Sequence, residues 1–78
     1  MASGYVIDVK AERPGESGKP ARELFYAQAD TPDQAIQRVR DTRALRGEIV
    51  ALDREMSDAE VVSARLAPGE VRSCYIED

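Results

Sequence analysis

The 78-residue chain carries eleven Lys and Arg against fifteen Asp and Glu, a net charge of -4, with no histidine and one cysteine. That length suits a single small domain; a lone Cys74 excludes a disulfide scaffold, and no apolar run approaches the roughly 20 residues of a membrane span. Met1-Ala2-Ser3-Gly4 runs directly into strand-like sequence without a basic start or an apolar block, so no export signal is read and a cytoplasmic location is expected.

Tyr5 to Glu12 alternates with period two. Tyr5, Ile7, Val9 and Ala11 share one face, and Asp8, Lys10 and Glu12 share the other with Val6, which is the signature of a half-buried strand. Arg13 to Pro20 holds two prolines, two glycines and no apolar residue, and is read as a long, flexible hairpin loop over 13–20. Ala21 to Ala29 is extended again: Phe25, Ala27 and Ala29 form the inward set, and Leu24 with Tyr26 lies on the opposite face beside Val6. That second face needs either a covering segment or a partner.

Asp30-Thr31-Pro32-Asp33 is a helix start. Thr31 or Asp30 caps free amides, Pro32 fits the first helical position, and Asp33 suits the positive end of the dipole. Ala35, Ile36 and Val39 then form a one-sided stripe extended by Thr42, and Gly47 is a left-handed stop, so the helix runs from Pro32 to Ala44 or Leu45. Glu48 to Glu55 reads as a third strand; if it returns beside the first, the sheet has at least three strands and one helix-covered face. Ser57-Asp58-Ala59-Glu60 has capping-box spacing and predicts a short helix to Leu66 that buries Ala59, Val62 and Leu66. The rival for this stretch is a hairpin of Val61–Leu66 with Val71–Ile76 around the type II turn signal Ala67-Pro68-Gly69-Glu70. Residues 77–78 are expected to fray. The expected fold is a single α+β domain over 1–78: a small antiparallel or mixed sheet in two layers, with the main helix on one face.

Chemistry is sparse. Without histidine the commonest general base and zinc ligand are missing. Cys74 has no activating neighbour and reads as an incidental reduced thiol. Asp53, Glu55, Asp58 and Glu60 lack the spacing of a calcium loop and read as a solvated face, while Gly15 and Gly18 lack the remainder of a phosphate loop. An acid–base pair of Asp8 with Asp53 or Glu55 has nothing in the sequence to bring it together. No catalytic residue, metal or cofactor is therefore assigned.

Two surfaces remain. Leu24 and Tyr26 form a candidate interaction patch, balanced against a second small core closed by the C-terminal segment. Arg38, Arg40 and Arg43 flank the helical stripe and form a candidate anion or RNA site, balanced against arginines that stabilise the helix C-terminus and cover apolar edges with their stems. An acidic domain without aromatics near the arginines favours the structural role. Eleven of the apolar residues are alanine, so the interior is thin and burial barely offsets ordering entropy. The expectation is a non-enzymatic interaction module, pairing as a homodimer or with another protein through a sheet face or edge, with nucleic acid as the alternative partner and no membrane contact.

Overall fold

Strand β1 (Gly4–Lys10) is apolar on both sides, and that decides its place. Tyr5, Ile7 and Val9 are buried on one face and Val6 on the other, so β1 lies inside the sheet with β2 (Arg22–Gln28). A computed structural model describes residues 3–11, 21–43, 45 and 47–77. The remaining elements are α1 (Pro32–Arg43), β3 (Ile49–Glu55), α2 (Asp58–Ala64) and β4 (Val71–Glu77). The sheet order is β3-β1-β2-β4 and every neighbouring pair is antiparallel. This is a small α+β fold with the main helix on one sheet face. The expected loop over 13–20 falls outside the described residues, as do Ala44 and Arg46.

Helix α1 starts as its residues dictate: the Gln34 amide donates to the Thr31 hydroxyl at 3.2 Å, and the Asp30 amide donates to the Gln34 side chain at 2.8 Å. Ala35 and Val39 are fully buried against Tyr5, Ile7, Val9, Phe25, Ala27 and Ala29. Ile36, Leu45, Val50 and Val71 seal the rim of this first core. Thr42 does not extend the stripe; it is exposed, and the nearby Arg43 guanidinium instead caps the Phe25 ring 4.9 Å from its centroid. Gly47 has φ 79°, the left-handed conformation expected of a stop.

The stretch after β3 forms the short helix and also a strand. The capping box is complete: the Glu60 amide donates to the Ser57 hydroxyl at 3.2 Å and the Ser57 amide to the Glu60 carboxylate at 3.0 Å. The buried face differs from the expected one. Val61 is buried and Ala64 half-buried, whereas Ala59 and Val62 are exposed. The reason is that the helix ends at Arg65, which adopts φ 52° and ψ 44°, so Leu66 lies past the cap and does not share helical spacing with Val62. Residues 67–70 form the expected type II turn, with the Glu70 amide donating to the Ala67 carbonyl at 3.0 Å and Gly69 at φ 74°. That turn leads into β4, which pairs with β2 rather than with residues 61–66. The ladder reaches Glu77, opposite Arg22, and Asp78 lies outside the described residues.

Arg65 is the one described non-glycine residue with positive φ, and an L side chain is disfavoured there. Arg65→Gly is expected to stabilise the protein by about 1 kcal/mol, read as a higher urea midpoint at unchanged slope.

Candidate functional site

Helix α2 divides its face of the sheet into two halves. Across the strands the face is built from rows of cross-strand partners. Arg54, Val6, Tyr26 and Arg72 form one row, Ala51, Asp8, Leu24 and Tyr75 the next, and Ile49, Lys10, Arg22 and Glu77 the third. The segment containing α2 covers the first row: Met56, Val61 and Leu66 bury themselves with Val6 against Leu24, Tyr26 and Ala64. Gly4 permits this close approach, since a Cβ there would stand 2.8 Å from Val61 Cγ2 and 2.9 Å from Met56 Sδ.

Both ends of the covering helix are held by arginines of the row beneath it. Arg54 donates two hydrogen bonds of 2.8 Å to the two carboxylate oxygens of Glu60. At the other end, the Arg72 guanidinium donates to the carbonyls of Ala64 and Arg65 and to the Glu70 carboxylate, so a cation meets the negative end of the helix. The Arg54 bonds, followed by the Ser57 amide, hold the Glu60 carboxyl at a pKa of about 2, well below its ordinary 4.5. The Ala67 amide and then Arg72 lower that of Glu70.

The other half of this face has no covering helix. Asp8, with its side chain only 12% exposed, accepts from Arg22 at 3.1 Å, and Lys10 stands 3.9 Å from its second oxygen. Arg22 also reaches Asp53 at 3.9 Å. The structure thus brings Asp8 and Asp53 to one guanidinium, a juxtaposition set by strand order. Glu55 does not join them: the irregularity between Val6 and Ile7 inserts Asp53 into the ladder, and Glu55 pairs with Tyr5 on the α1 face. Period-two spacing along β3 would put Asp53 and Glu55 on one side, and that bulge separates them. Among the described residues, no group of His, Cys, Asp or Glu is arranged to hold a metal ion.

Leu24 and Tyr26 are half-buried, packed on the second core beneath residues 56–66, and Leu24 stands opposite Tyr75. The three candidate arginines have separate surroundings. Arg43 caps Phe25, Arg40 is exposed, and Arg38 is half-buried with its Nε enclosed and its Nη1 3.3 Å from where a Gly69 Cβ would be. Cys74 occupies a second bulge, opposite the Leu24/Phe25 step, and its thiol donates to the Leu24 carbonyl at 3.3 Å. Burial pushes that thiol's pKa up, which leaves it unactivated.

Sequence reading did not single out the edge strands. Ile49 and Leu52 on β3 are 59% and 41% exposed, and Tyr75 and Ile76 on β4 are 48% and 58% exposed. Their apolar alternation was visible, but strand order alone reveals that β3 and β4 are the edges. No protein family, curated protein or solved structure matches the chain. No helix among the described residues is long and apolar enough to cross a membrane.

Because the folded Glu60 pKa lies below its unfolded value, its contribution is present above about pH 4.5 and lost as pH falls towards 2. Amide signals of residues 58–64 are expected to weaken across that window before those of β1 and β2. Glu60→Gln should loosen α2 at neutral pH and flatten the response.

Proposed function

We propose that the chain is a small, non-enzymatic interaction module that associates with a second copy of itself through its sheet edges and the adjoining open face. One observation carries this reading: among the described residues, of the five large apolar side chains that stand exposed, four (Ile49, Leu52, Tyr75 and Ile76) are on the two edge strands. An edge strand also presents unpaired amides and carbonyls, a template for another chain. The bulges at Asp53 and Cys74 interrupt each edge, leaving Ile49–Leu52 and Tyr75–Glu77 as the regular runs at the end of the sheet remote from α2.

The use of the acidic groups supports binding over catalysis. Asp8 is bonded to Arg22, Glu60 to Arg54 and Glu70 to Arg72, so these carboxylates are engaged in holding the fold. For a partner the chemistry favours an apolar strand edge over an anion, because Arg43 lies over the Phe25 ring while Arg38 stands beside Gly69, so the two do not present a shared clamp.

Sedimentation equilibrium at tens of micromolar is the direct test, with a dimer mass expected. Ile49→Lys and Tyr75→Lys place a charge where an apolar side chain at the edge of the open face meets its partner, and each is expected to weaken association by about tenfold or more while circular dichroism is unchanged. A monomer throughout that concentration range removes the reading.

A further inference from the structure

The row Arg54–Val6–Tyr26–Arg72 is complementary to one kind of object. It has an apolar centre and a guanidinium at each end, and it holds a two-turn helix with a carboxylate in its first turn and open carbonyls at its last. Helix α2 meets that description, yet it is attached lightly. Val61 is the single buried residue within it, Val62 is 75% exposed, and its first-turn contact is the solvent-facing Glu60–Arg54 ion pair. Only Met56 and Ser57 separate it from β3, and Ser57 is already extended at φ -71° and ψ 160°. Downstream, β4 is the terminal strand and pairs with β2 alone.

We propose that two copies of the chain trade residues 57–77, so that the row of each copy holds the α2 of the other. Strand β4 travels with α2, which preserves the bonds from Arg72 to the helix carbonyls, while Arg54 receives Glu60 from the second copy. Closed and exchanged forms share the same contacts, and concentration together with the conformation of the Met56–Ser57 hinge sets the balance between them. Charge complementarity singles out the occupant: an acid three residues past a serine cap is what Arg54 and the helix start select, and α2 carries it. This inference deepens the self-association reading and rests on it for the second copy, but it names a different contact from the exposed strand edges.

The test uses Arg54→Glu and Glu60→Arg. Either substitution alone sets like charges against each other in the closed form and in a like-with-like exchanged dimer. The double variant restores opposite charges within one chain and is expected to fold as the original does, showing that the positions tolerate the change. Mixing the two single variants restores opposite charges only between chains. An equimolar mixture is therefore expected to yield a heterodimer by native mass spectrometry, about tenfold or more favoured over either protein alone. If the mixture stays monomeric while hydrogen exchange shows β1 and β2 protected in both variants, exchange of α2 is overturned. If the original protein dimerises under those circumstances, association through the strand edges survives that failure. A heterodimer from the mixture with a monomeric original protein removes the edge reading and overturns exchange in the original chain, the swapped charges alone having driven it.

Discussion

A central strand with apolar side chains on both sides obliges the chain to cover its sheet twice. Tyr5, Ile7 and Val9 face one way and Val6 the other, with Phe25 and Ala27 against Tyr26 and Leu24 repeating the arrangement on β2. The helical material is unequal to the task. Helix α1 has 12 residues and closes its face over the inner strands, whereas α2 has 7 and closes part of the other. What α2 leaves open is polar where it must be: Asp8 is half-buried at the base of the open half, where Arg22 and Lys10 lie over it. The two-faced strand, the short helix and the ion-paired half-face are one constraint seen three times.

The electrostatics follow the same division. Although the chain is acidic overall, four of its arginines close the two faces. Arg43 covers Phe25 on the α1 side, Arg54 and Arg72 bracket α2, and Arg22 covers Asp8. Bidentate geometry at Glu60 and the complete capping box make the start of α2 the best-specified part of that helix, which compensates for the little apolar area it buries. The arginine run on α1 looked like a cluster along the chain; in space its members belong to different neighbourhoods.

Local signals were legible and spatial ones were not. The alternation of β1, the Thr31-Pro32 start of α1 and the Ser57–Glu60 box each depend on residues a few positions apart, and each formed as its spacing dictates. The inward face of α2 was misread because Arg65 breaks the helical phase in a left-handed cap, something a non-glycine residue does not announce. Strand β4 competed with a local hairpin, and its choice of β2 is a non-local pairing that runs from Ala27–Val71 to Arg22–Glu77. For the candidate surfaces the limit was sharper still. That Leu24 and Tyr26 lie beneath residues 56–66, and that Asp8 meets Asp53 at Arg22, depends on register and bulges, and a bulge is invisible to a period-two pattern.

Alanine content carries a different meaning in space than in composition. Ala27, Ala29 and Ala35 are all essentially inaccessible and stand where α1 meets the sheet. Small side chains there let the helix come close enough for Val39, Ile7 and Phe25 to be sealed completely, so alanine helps to make this core tight. The apolar deficit lies at the margins. Large side chains such as Ile49, Leu52, Tyr75 and Ile76 stand exposed on the edge strands. Self-association is thus motivated less by a weak interior than by a sheet wider than its helices.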